Sequence, residues 1–139
     1  MSDPEGLLDT SVVLALPVLA DVSSLPDVAL ISAVTLAELT VGPLVAADDL
    51  ERARRLATLQ QAEADFDPIP FDAAAARAFG QVAASYRRSG RKPAARSFDA
   101  MIAATALANG LPLYSANPDD FAGIDGLVLR PVEVPGSRG

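Results

Sequence analysis

The sequence predicts an α/β domain built on a mostly parallel sheet. Short apolar runs rich in strand-forming residues alternate with longer helical patterns along the whole chain. One of those helices, 97–110, is apolar on nearly every side, which calls for burial in a core. With 139 residues, 50% hydrophobic and 21% charged, the chain reads as one globular domain. Its core is expected over about residues 6–131, with a short tail at 132–139.

The first strand runs from Gly6 to Asp9, an apolar run that closes on an acid. Thr10 and Ser11 follow, then apolar Val12 to Leu16, broken by Pro17; Asp9, Thr10 or Ser11 could each cap this segment. Asp27 to Ser32 reads as a second strand. Ala33 to Ala47 reads as a helix with Val34, Leu36, Leu39 and Val41 apolar, kinked or broken at Gly42-Pro43. Asp48 to Ala64 is a charged amphipathic helix, whose inward stripe is expected to be Leu50, Ala53, Leu56, Ala57 and Leu59. Phe66 to Phe71 is extended, and Pro68 and Pro70 suit an edge or a connection. Asp72 should cap a helix reaching about Ser89, before a basic loop from Gly90 to Pro93. Ser97 should cap the apolar helix, and Gly110 should end it in a left-handed conformation. Leu111 to Ser115 is the next strand, and Leu127 to Leu129 a last short one.

Composition removes several chemistries. Without cysteine there are no disulfides, thiolate nucleophiles or zinc–sulfur sites, and without histidine no Ser-His-Asp triad and no imidazole ligand. What remains is carboxylates, hydroxyls, amides, arginines, the single Lys92 and metals held by oxygen, which favours Mg²⁺ or Mn²⁺. The N-terminus has no basic stretch ahead of its apolar run, and Glu38 interrupts the longest low-charge segment. A signal peptide and a membrane span are therefore not expected, and the expected location is cytoplasmic. The net charge of −7 argues against non-specific nucleic-acid binding. Against that, Arg87, Arg88, Arg91, Lys92 and Arg96 gather five of the eleven basic residues. That cluster is a candidate contact for a phosphate backbone, or simply a solvated helix end.

The acids are placed unusually. Asp99 is the only charged side chain between Arg96 and Asp119, and Glu38 the only one between Asp27 and Asp48. Asp9 stands alone after the first strand, and Asp119 and Asp120 return after a late one. Each has a local explanation, as a cap, a dipole partner or a snorkelling chain. Together they suggest one shared site, since strand ends of a parallel sheet lie on one edge. Carboxylates at close range raise one another's pKa unless a cation intervenes, and a divalent metal would resolve the conflict. The chemistry that fits is metal-assisted hydrolysis of a phosphate ester. A receiver domain would want paired acids near the first strand and a late lysine after a strand. A haloacid-dehalogenase-type phosphatase would want Asp-x-Asp where this chain has Asp9-Thr10-Ser11. Both fit poorly.

Four segments carry a resemblance: Leu7-Leu8-Asp9-Thr10-Ser11, Thr35-Leu36-Ala37-Glu38 with Gly42 four residues on, Asp99 to Ala106, and Ser115-Ala116-Asn117-Pro118-Asp119-Asp120-Phe121. In order and spacing they resemble the acidic motifs of PIN-domain ribonucleases, most of all the VapC-type toxins of toxin–antitoxin pairs. The likeness spans residues 7 to about 130. It implies a three-layer α/β/α PIN-like fold and an endoribonuclease using Mg²⁺, with Mn²⁺ as a substitute. It also implies a homodimer and a cognate antitoxin that blocks the pocket. Asp9, Glu38 and Asp99 carry over as metal-binding, catalytic carboxylates, with Asp120 as the fourth acid. Asn117 is then a neutral ligand or orienting amide, Asp119 faces solvent, and Thr10 and Ser115 are hydroxyls that hold the carboxylates. The expected function is RNA cleavage by a toxin. A PIN-like protein-binding module with a vestigial pocket, or a metal-dependent phosphatase on small esters, are the alternatives.

Overall fold

The computed structural model describes residues 3–92 and 96–135; Pro93 of the basic loop and positions 136–139 of the tail lie outside the described residues. Strands β1 (Glu5–Leu8), β2 (Val28–Ile31), β3 (Leu113–Ser115) and β4 (Leu129–Pro131) form one sheet in the order β2-β1-β3-β4. All three pairings are parallel, with Leu8 opposite both Ile31 and Tyr114. Between the strands run α1 (Thr10–Ala15), α2 (Ala33–Val41), α3 (Asp49–Asp65), α4 (Ala73–Arg88) and α5 (Ser97–Ala108).

Side chains of a strand alternate between faces, and β1 uses this to build two cores. Leu7 and Leu113 pack on one face with Val82 and Tyr86 of α4 and Ala100 to Ala106 of α5. Leu8, Ile31 and Tyr114 pack on the other with Val12 and Val13 of α1, Leu39 of α2 and Ala62 of α3. The α/β/α layering therefore follows from one alternating strand. Gly6 lies on the second face, and the Tyr114 ring fills the space its missing side chain leaves. The apolar helix α5 is buried as its sequence demands. It ends at Gly110 (φ 63°), where Leu111 N–H bonds to Ala106 O at 2.9 Å and Gly110 N–H to Leu107 O at 3.3 Å, a Schellman closure. The proline-flanked segment meets the sheet edge at one position. Ile69 N–H donates to Ile31 O (2.9 Å) and Ala33 N–H to Ile69 O (2.8 Å), while Pro68 and Pro70 prevent further pairing.

Two expectations are corrected. Ser97 is the first residue of α5 rather than its cap. Arg96 holds the cap position and makes no capping bond with its side chain, which is spent on nearby carboxylates. The stripe expected to anchor α3 is mostly outside: Leu50 and Leu56 are 64% and 43% exposed, Ala53 and Ala57 are exposed, and Leu59 is half-buried. The N-terminal half of α3 is held by Arg55 instead. Its stem lies over Gly42 and Nη1 donates to Gly42 O at 3.0 Å, where α2 gives way to a 3₁₀ turn at Gly42–Val45. Only the C-terminal half, through Leu59 and Ala62, reaches the core.

Candidate active site

The carboxyl ends of parallel β1, β2 and β3 share one edge, and the chain delivers its isolated acids there. Asp9 leaves β1 in an extended conformation and is almost fully buried (4% exposed). Its Oδ1 accepts from Val12 N–H at 3.0 Å and from the Ser11 hydroxyl at 2.6 Å, so Asp9 is at once the cap of α1 and a pocket residue. The Ser115 hydroxyl also favours the charged form of this carboxylate. Ala116 N–H donates to Ser11 Oγ (3.0 Å) and Asn117 N–H to Ser115 Oγ (2.9 Å), which stitches the loop after β3 to the end of β1.

Glu38 comes from α2, capped after β2 by Ser32. The Thr10 hydroxyl donates to Glu38 Oε1 at 2.7 Å and lies 3.1 Å from Thr35 Oγ1. A hydroxyl has one proton, so the second bond runs from Thr35 to Thr10, a relay that ends on the carboxylate. Thr35 and Glu38 are three apart and share a helix face.

Asp99 stands in the first turn of α5 and Asp120 in the 3₁₀ turn Pro118–Phe121. Arg96 joins them: Nη1 donates to Asp120 Oδ1 at 2.6 Å and lies 3.8 Å from Asp99 Oδ2. The turn is gripped from behind. The Asp120 carbonyl accepts from the Tyr86 hydroxyl (3.1 Å) and Arg91 Nη1 (3.0 Å), and the Asp119 carbonyl from Arg91 Nη2 (2.6 Å). Asp119 and Asn117 are exposed, and Asn117 contributes its backbone, donating to Ser115 and accepting from Asp120 N–H.

The electrostatics tie the four acids together. Burial, then repulsion from Asp120, Glu38 and Asp9, pushes the Asp99 pKa up to about 6, against the pull of Arg96. Asp9 is raised by burial, opposed by its hydroxyl and backbone donors. Burial also raises Glu38, opposed by the Thr10 hydrogen bond and reinforced by the charge on Asp9. A pocket with this much negative charge and too few cations is suited to binding one.

Among the described residues no three acids are gathered closely enough to enclose an ion by themselves. The donor chemistry still fits Mg²⁺, which takes one or two carboxylates and completes its shell with water and substrate oxygens. One oxygen of Asp9 and one of Glu38 are already fixed by donors, so each carboxylate is oriented before any ion arrives.

A PIN domain profile matches residues 7–127. Ribonuclease VapC5 of Mycobacterium tuberculosis is 42% identical over 123 residues, which cover 87% of this chain and 88% of the relative. The chain belongs to the PIN-domain family, among the VapC ribonucleases. Ribonuclease VapC8 of the same species is 38% identical over 73% of this chain and 89% of its own length. Among solved structures, VapBC-5 from M. tuberculosis superposes with a TM-score of 0.78 at 40% identity, covering 94% of this chain and 99% of that one. DNA-bound VapBC from Salmonella typhimurium gives 0.70 at 26% identity, over 93% and 97%.

Asp9, Glu38 and Asp120 each add to the negative field at Asp99, and the Thr10 hydroxyl holds Glu38. The basic cluster is divided. Arg88 pairs with Asp125 and Ser85, Arg91 and Arg96 hold the Asp120 turn, and Arg87 and Lys92 are exposed. Sequence reasoning gives no role in the site to Ser11 or Thr35, which it places only in motifs or as a cap, and none to Tyr86. Ser11 follows Asp9 by two and Thr35 precedes Glu38 by three, spacings that local geometry could have flagged. Tyr86 reaches Asp120 across 34 residues, which no local pattern reveals.

Proposed function

We propose that the chain is the ribonuclease toxin of a toxin–antitoxin pair, hydrolysing RNA phosphodiester bonds in the four-acid pocket with Mg²⁺. The observation that carries this reading is that Arg96 joins Asp99 to Asp120 beside the sheet edge where Asp9 ends β1 and its neighbour Thr10 holds Glu38. The kinship with VapC ribonucleases supplies the substrate class. When bound, Mg²⁺ provides Lewis acidity toward the attacking water and the phosphate. Asp9, Glu38 and Asp99 are the residues that would hold it. Ser11, Ser115 and Thr10 fix the carboxylate orientations, and burial at the sheet edge excludes bulk water from Asp9. Attack by water with departure of the 3′ oxygen leaves 5′-phosphate and 3′-hydroxyl ends. End analysis of RNA cut by the antitoxin-free protein tests this directly; 2′,3′-cyclic phosphates would mean a different mechanism.

Thr10→Val keeps the shape of the side chain and removes the donor to Glu38. Cleavage should fall about 10–100-fold with little change in melting temperature. An unchanged rate would remove Thr10 from the machinery.

Arg87 and Lys92, the exposed members of the basic cluster, are proposed to guide the RNA backbone. Replacing both by Ala should weaken RNA binding and lower its salt slope by about 0.7 for each phosphate that is no longer neutralised. Equal slopes for the variant and the parent would reject that role.

The proposed partner is a VapB-like antitoxin, since the structural relatives are VapBC complexes. A groove of about 410 Å³ runs from Thr10 and Glu38 to Arg54 and Arg55, lined also by exposed Leu14. An antitoxin segment lying there would cover Glu38 and block the pocket.

A further inference from the structure

The four acids are not equivalent, because one of them already has a cation. Arg96 Nη1 donates to Asp120 Oδ1 at 2.6 Å, and the same nitrogen lies 3.8 Å from Asp99 Oδ2. Asp9 and Glu38 are held differently, by hydroxyls and a backbone N–H that leave their charge uncompensated. Asp120 is also fixed from behind, because Tyr86 and Arg91 bond the carbonyls of its turn. The turn cannot carry the carboxylate away from Arg96 without breaking those bonds. A divalent ion needs carboxylate oxygens at about 2.1 Å. A guanidinium nitrogen seated between Asp99 and Asp120 occupies the space from which an ion would bridge them.

We infer that Arg96 is a built-in counter-cation that reserves Asp120. The pocket then takes one divalent ion on its Asp9, Glu38 and Asp99 side and no second ion between Asp99 and Asp120. Asp120 is thereby a positioning residue for Arg96 rather than a metal ligand. Charge supports this division. With Arg96 in place, a single divalent ion leaves the four carboxylates one charge short of neutrality; without Arg96, a second ion is needed to match them. The inference rests on the metal-dependent reading of the pocket given above.

Equilibrium dialysis of the full chain against Mn²⁺, without RNA, tests it. Wild type should bind one Mn²⁺ per chain and Arg96→Gln two, while Arg96→Lys, which keeps the charge, should stay at one. Asp120→Asn supplies an independent arm. It should still bind one Mn²⁺ per chain, weakened less than about tenfold by the lost negative charge, whereas loss of a true ligand would weaken binding about tenfold or more. Two ions on wild type, no second ion on Arg96→Gln, or a tenfold loss in Asp120→Asn would each overturn the assignment. Wild type that takes up no Mn²⁺ would instead bring down the metal-dependent reading, and the inference with it.

Discussion

Asp99→Asn should destroy activity and stabilise the metal-free protein. Cleavage is expected to fall at least about a thousandfold, because the substitution removes charge where the proposed mechanism needs a cation held. Stability should move the other way. The folded-state pKa of Asp99 is raised from 3.8 to about 6, chiefly by burial and then by Asp120, Glu38 and Asp9. A raised carboxylate pKa means that the folded state binds the proton more tightly than the unfolded chain. Its favourable contribution is complete below about pH 4 and lost as the pH rises through about 6. At pH 8 the ionised carboxylate is a net cost. The side chain is 30% exposed, so the shift is discounted for solvent screening to about 1–2 kcal/mol. Asp99→Asn should accordingly raise the melting temperature by several degrees at pH 8 and by little at pH 4.5, in the presence of EDTA. Added Mg²⁺ should stabilise wild type more than the variant. A variant that is less stable than wild type at pH 8 would mean that Asp99 is not strained by its neighbours.

The largest structural effect is expected at Gly6. A β-carbon there would lie 2.5 Å from Cε1 and 2.9 Å from Cδ1 of Tyr114, and 3.0 Å from Pro26 Cβ. The ring has little room to yield, because its hydroxyl donates to Asp3 Oδ2, which Arg130 also holds. Gly6→Ala should therefore cost about 2–3 kcal/mol in urea unfolding, as overpacking in a closed core does. Most of that cost should vanish in a Tyr114→Leu background, where the ring is gone. Strict additivity of the two changes would mean that the penalty is not steric contact with Tyr114.

Gly6 also shows what a sequence conveys and what it withholds. The strand was legible from its apolar run, but the need for glycine arises from a ring 108 positions away. The isolated acids were legible for a physical reason: a lone charge in core-like sequence must be solvated or paired, so Asp9, Glu38 and Asp99 stood out. Asp120 was harder, because three candidate side chains share its loop and its partner Arg96 is 24 residues distant. The α3 stripe misled because amphipathic periodicity marks an apolar face without saying what it faces. Leu50 and Leu56 have the right spacing and remain outside, while Arg55 makes the attachment. The left-handed end of α5 was secure, since Gly110 follows an unbroken apolar helix and the closure is local.

If these acids form one metal-dependent hydrolytic site, its activity must follow the metal. The most direct test is RNA cleavage by the antitoxin-free protein after exhaustive EDTA treatment, followed by titration with Mg²⁺. No cleavage is expected in EDTA, and the rate should return in proportion to Mg²⁺ occupancy, at no point recovered by Asp99→Asn. Cleavage that persists undiminished in EDTA, or that Asp99→Asn performs as well as wild type, would contradict a metal-dependent site.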